Sequence, residues 1–132
     1  MPTLQAFDSL ISFVVYLVAS LAMLAAFTRV YMWITPYDEM KDIKAGKMAP
    51  AIALCGAMLG YTFPLLVAAH VQAGFLDFLA WSLAACVVQL AVFWLLYWLL
   101  PRVIEANNAA GALCFAIASV CAGLINAGSF VP

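Results

Sequence analysis

Four long apolar runs separated by short polar breaks order the chain. They cover about Phe7–Ile34, Met48–Val71, Phe75–Leu100 and Ala109–Phe130. Each is long enough, as a helix, to cross a hydrocarbon core of ~30 Å. The breaks carry their own signals. Pro36 stops the first run, because the residue before a proline disfavours helix. Pro50 falls in the first turn of the second, where its missing N–H costs little. Gln72, Ala73 and Gly74 predict a very short turn, Pro101 ends the third run, and Asn108 suits the N-cap of the fourth. The pattern predicts an all-α polytopic membrane protein, one membrane domain over residues 1–132, with four transmembrane helices joined up and down.

The longest polar break, Thr35–Lys47, holds the densest run of charge. Met40 and Ile43 share a face there, with acids and bases on the remainder, which predicts a short amphipathic turn on the membrane surface. Tyr37, Asp38, Glu39, Lys41 and Lys44 form a candidate docking loop for a cytoplasmic protein partner. The plainer alternative is a solvated loop.

Composition agrees with this class. The apolar fraction is 69%, the charged fraction 8% and the mean hydropathy +1.13, all outside the soluble range. Six acids against five bases leave no footprint for nucleic acid. Lys41, Lys44 and Lys47 lie in the first loop and Arg102 in the third, with Arg29 near the same end. The N-terminal tail, second turn and C-terminus have no Lys or Arg, so both termini are expected outside the cytoplasm. Tyr31, Trp33 and Tyr37, with Trp94, Tyr97 and Trp98, read as anchors at the inner interface. Phe75, Phe78 and Trp81 read as anchors at the outer one. The first residues carry no basic side chain and no A-x-A-like site, so the first run is expected to remain as a helix.

Shifted by 61 positions, Ile43 falls on Ile104, Ala49 on Ala110, Ala51 on Ala112 and Trp33 on Trp94, while Gly46 and Lys47 fall on Asn107 and Asn108. This predicts a parallel 2+2 internal repeat, one unit over about 7–71 and the other over about 75–131, about an axis along the membrane normal. Gly56 and Gly60 form a GxxxG extended backwards by Ala49 and Ala53. Ser119, Gly123 and Ala127 form a similar ladder in the last span. Lipid gives little hydrophobic drive between helices, so such small residues favour close packing. Spans two and four are expected at the centre, within one chain or between copies of a homo-oligomer. Pro64 is expected to kink span two and free a carbonyl near Gly60 and Tyr61, with Thr62 available to satisfy it.

The motifs T-P-Y-D-E at Thr35–Glu39, I-x-x-G-x-x-A-x-A-I-A at Ile43–Ala53 and G-x-x-L-G-x-x-x-P-L at Gly56–Leu65 resemble the bacterial "domain of unknown function 350" family. Val87–Gln89 and G-L-I-N-A at Gly123–Ala127 extend the match over nearly the whole chain. The resemblance implies an inner-membrane protein of four spans built from a duplicated two-helix unit, in some genomic neighbourhoods beside membrane-stress genes. It implies no particular activity. Where the family pattern expects Gly-Asn, this chain has Asn107 and Asn108.

Polar groups in hydrocarbon are costly and so are candidate sites. Arg29, Gln89 and Asn126 form the candidate intramembrane polar set. Snorkelling or a contact with Asp38, Glu39 or Glu105 is the structural account of Arg29, and an interhelical hydrogen bond that of Gln89. His70 reads as a wet interfacial side chain. Cys55, Cys86, Cys114 and Cys121 show no metal or redox spacing and read as small hydrophobes. No carboxylate pair, Ser-His set or bis-histidine site is present, so neither an enzyme nor a cofactor is expected. Two readings remain: a structural or adaptor component of the envelope, or an oligomeric channel or small-solute transporter.

Overall fold

A computed structural model of the chain describes residues 2–71 and 74–130. It is all-helical: α1 Pro2–Ile34, α2 Glu39–Lys44, α3 Met48–Val71, α4 Phe75–Leu99 and α5 Ala109–Gly128. Four of these, all but α2, are long and apolar enough to cross a membrane. The apolar pattern places α3 at its observed ends and α4 within one residue. It misses the first turns of α1, and α5 stops two residues short of Phe130. Of the expected turn at residues 72–74, Gln72 and Ala73 lie outside the described residues.

The α3–α5 pair is the centre of the fold, and both small-residue ladders face each other within one chain. Ala49, Ala53, Gly56 and Gly60 are buried on α3, and Ala116, Ser119, Gly123 and Ala127 on α5. The helices run in the same direction. Ala49 N–H donates to Asn107 Oδ1 at 3.1 Å at one end, and Gly60 lies against Gly123 further along. The approach there is backbone on backbone: a Cβ on Gly123 would sit 2.8 Å from Gly60 Cα and closer still to its carbonyl oxygen. That carbonyl is the one Pro64 deprives of its helical N–H partner. Thr62 does not satisfy it, because its hydroxyl donates to Met58 O at 2.8 Å. Gly123 takes that place, since only a bare Cα lets the oxygen approach, in the manner of a weak Cα–H···O contact.

The outer helices close one side of this pair. α4 lies across both α3 and α5, whereas α1 rests mainly on α3. Phe27 and Tyr31 are the buried residues of α1. Phe27 stacks on Tyr61 at a centroid distance of 4.5 Å, and Tyr31 meets Phe93 edge-on at 5.0 Å. Tyr31 and Phe78 are therefore core residues rather than interface anchors. Both are about 1% exposed or less, while Trp33 is 83% exposed.

Three cysteines, Cys55, Cys114 and Cys121, are exposed rather than packed inside, and Cys86 is half-buried. The reason on α5 is geometric. Its inward face is already taken by Ala112, Phe115, Ala116, Ser119 and Gly123, which leaves Cys114 and Cys121 on the other side of the helix.

The loops before α3 and before α5 close with the same hydrogen bonds. In the first, Lys47 N–H donates to Asp42 O and Gly46 N–H to Ile43 O, each at 3.0 Å. In the second, Asn108 N–H donates to Val103 O at 3.1 Å and Asn107 N–H to Ile104 O at 3.0 Å. Each is a Schellman closure with its αL residue at C′. Gly46 has φ +85° and Asn107 φ +54°. Asparagine tolerates the left-handed region better than most side chains, which is how this turn forms without the expected glycine.

Candidate functional site

The corner where α1 ends and α2 begins is the most elaborately built polar region. Asp38 caps α2, its Oδ1 accepting from Lys41 N–H at 3.2 Å. Thr35 Oγ1 donates to Glu39 Oε1 and also reaches Met32 O at 3.1 Å. Lys47 and Asp42 form the one ion pair among the described residues, at 3.5 Å. These contacts hold α2 as a fixed element rather than a slack connection.

Within this loop the five candidate docking residues separate. Asp38, Lys41 and Lys44 are exposed and Tyr37 is partly covered, whereas Glu39 is only 1% exposed. Its carboxylate turns inward to Thr35, away from any surface a partner would meet. A notch of about 200 Å³ opens beside it, lined by Arg29, Met32, Trp33, Asp38, Glu39 and Met40. Arg29 reaches this notch but makes no ion pair among the described residues.

Burial pushes the Glu39 carboxyl above the ordinary carboxylate value, only partly offset by the Thr35 hydroxyl and its own backbone N–H. Burial likewise raises the Tyr37 phenol, and the nearby Glu39 charge adds to it. A carboxyl with a raised folded-state pKa binds its proton more tightly in the folded chain. Stability is then greatest below the ordinary glutamate value and falls as pH rises through the shifted one. Glu39→Gln keeps an oxygen for Thr35 and removes the charge. It should melt higher than the parent by a few degrees at neutral pH and flatten that decline. Thermal unfolding in detergent across pH 4–8, an interval chosen around the ordinary glutamate value, measures both.

The intramembrane candidates lie elsewhere. Gln89 is buried among α3, α4 and α5, its Nε2 donating to Ser119 O at 3.3 Å, with Oε1 unpartnered. It also lies directly against Gly60. Asn126 Nδ2 and Ser82 Oγ are buried without partners, and Tyr61 OH donates to Ser82 O at 3.0 Å. Arg29 is exposed on α1 beside the α2 corner, so the structure brings no two of Arg29, Gln89 and Asn126 into hydrogen-bond contact. Ser82, Tyr61 and Thr35 were missed in the sequence. Their only signal is a hydroxyl on an otherwise apolar helix face or end. His70 is exposed, with Nδ1 2.9 Å from Leu66 O. Among the described residues no group of three His, Cys, Asp or Glu could hold a metal.

With this geometry in place, the comparisons with known proteins are specific. The family model "Domain of Unknown Function (DUF350)" matches residues 5–130. The chain belongs to the DUF350 family. It is 36% identical over 124 residues to the UPF0719 inner membrane protein YjfL of Escherichia coli K12, covering 91% of this chain and 93% of that protein. The protein of the same name in Escherichia coli O157:H7 matches equally. No solved structure matches. Family membership spans all four apolar helices, the α2 corner and the α3–α5 seam.

Proposed function

We propose that this is a non-enzymatic, multi-pass inner-membrane protein, an envelope structural or adaptor component that offers its α2 corner to a cytoplasmic protein. The location follows the name of its Escherichia coli relatives. The orientation, with both termini outside, follows the lysines of the first loop and Arg102 of the third. One observation carries the role: α2 is capped by Asp38, bridged through Asp42 to Lys47 and closed by a Schellman turn, yet the exposed Lys41 and Lys44 make no ion pair among the described residues. Asp38, Lys41 and Lys44, with Trp33 and Met40 beside the notch, give both charge and apolar area for a partner. The matching loop closures, and the starts of α3 at Met48 and α5 at Ala109, 61 positions apart, support a duplicated hairpin.

The test follows from burial. Glu39 must be left alone, and Asp38 must keep its cap. Asp38→Asn with Trp33→Ala and Met40→Ala alters only the outward face of the corner and leaves in place the lysines that set orientation. A defined partner co-purified with the parent chain should be lost by at least tenfold, with membrane insertion unchanged. Equal recovery of that partner rejects the docking role.

The competing reading, an oligomeric channel or small-solute transporter, has the unpartnered Gln89 Oε1 and Asn126 Nδ2 in its favour. Gln89 is enclosed by helices at 4% exposure, so a path along it would need a second chain to open one.

A further inference from the structure

The way α3 meets α5 carries a consequence for how copies of the chain meet each other. On α3 the contact positions are Gly56 and Gly60. On α5 they are Ala116, Ser119 and Gly123. Moved back by 61, the α5 positions become Cys55, Met58 and Thr62. Moved forward, the α3 positions become Ile117 and Cys121. So the two equivalent helices touch through different faces. A two-fold contact would bring equivalent positions together, and a contact between unlike faces is heterologous. Each helix therefore retains, unused, the face its counterpart employs. Those faces are open: Ile117, Cys114 and Cys121 are exposed on α5, Cys55 is exposed on α3, and Met58 and Thr62 are only partly covered.

The outer helices show the same incompleteness. α4 lies across α3 and α5 together, while α1, its counterpart, has only α3 and a light contact with α4 beside it. Two residues of α1 are buried, against five of α4. α1 thus occupies one half of a two-sided seat whose other half would be an α5.

We propose that copies associate head to tail in the membrane, the Cys114–Ile117–Cys121 face of α5 in one copy seating on the Cys55–Met58–Thr62 face of α3 in the next. The α1 of that next copy lies over the joint, as α4 lies over the joint within the chain. A second copy is favoured over lipid because the interface continues one the chain already makes. Cys114 and Cys121 on one face, with Cys55 and Thr62 on the other, also leave room for a neighbouring helix to make closer contact than acyl chains can. The inference rests on the duplication, not on the docking role, and loss of the cytoplasmic partner would leave it untouched.

Shifting the observed Gly56–Ala116 contact by one unit gives its test: position 117 of one copy should lie against Cys55 of the next. Two chains are co-expressed with Cys86, Cys114 and Cys121 changed to Ala. One keeps Cys55, and the other carries Cys55→Ala with Ile117→Cys. Oxidation in native membranes should yield a mixed dimer, and neither chain alone should yield one. Dimers from the Cys55 chain alone would mean a two-fold contact and overturn the proposal, as would absence of the mixed product. Native mass spectrometry of the unaltered protein from lipid nanodiscs reads the same question without substitutions. More than one copy is expected, and a monomer at every lipid ratio overturns it.

Discussion

Gly123→Ala is expected to destabilise the fold by about 3 kcal/mol, near the upper end for an overpacked core. The added methyl group would fall on the Gly60 backbone, 2.6 Å from its carbonyl carbon. That neighbour is main chain inside a helix, not the tip of a flexible side chain, so relief requires the helices to separate. Separation also withdraws Gly123 from the carbonyl freed by Pro64. Gly128→Ala, on the same helix with open space around it, is the control and should be near neutral. Denaturant-driven unfolding in mixed micelles measures both. Equal midpoints for Gly123→Ala and the parent would mean that α3 and α5 do not approach as described.

Tyr61→Ala should cost a similar amount, about 3 kcal/mol, within the usual range for deleting a buried aromatic. Tyr61 is fully buried, stacks on Phe27 of α1 and donates to Ser82 O of α4, so one side chain ties three helices. Tyr61→Phe keeps the stack and loses only the hydroxyl, and should cost about 1 kcal/mol. The larger change has a second readout. With so little of α1 buried, loss of the stack should release it, raising spin-label mobility at Leu24 in Tyr61→Ala but not in Tyr61→Phe. Unchanged mobility in Tyr61→Ala would place the anchor of α1 elsewhere.

How much of this was legible beforehand depends on which force wrote it. Spans follow from hydrophobicity and proline positions, and α3 appears at the residues the apolar run marks. The central position of α3 and α5 follows from small-residue spacing, since Gly56 and Gly60 on an apolar span favour close approach of another helix, but that the two ladders meet within one chain was not legible. Direction of facing was not legible. Polar side chains on α1 and α4 are too few to draw a stripe, with only Ser82 and Gln89 marking the buried face of α4, so Tyr31 and Phe78 read as interface anchors when they are core. Glu39 was hidden for a related reason. In the sequence it stands among exposed charges, and only the Thr35 hydroxyl one turn earlier, brought round by the end of α1, turns it inward. The cysteines of α5 mislead similarly, because a residue that suits a core also suits a surface bathed in lipid.

The light seating of α1 has a bearing on biogenesis. A ribosome delivers α1 to the bilayer ahead of α3 and α4, yet the rings that receive Phe27 and Tyr31 belong to those two helices, and the partner that α3 needs most, α5, follows both. For most of synthesis the nascent chain is thus a string of separately inserted spans with its glycines facing acyl chains. Consolidation waits for α5 to emerge.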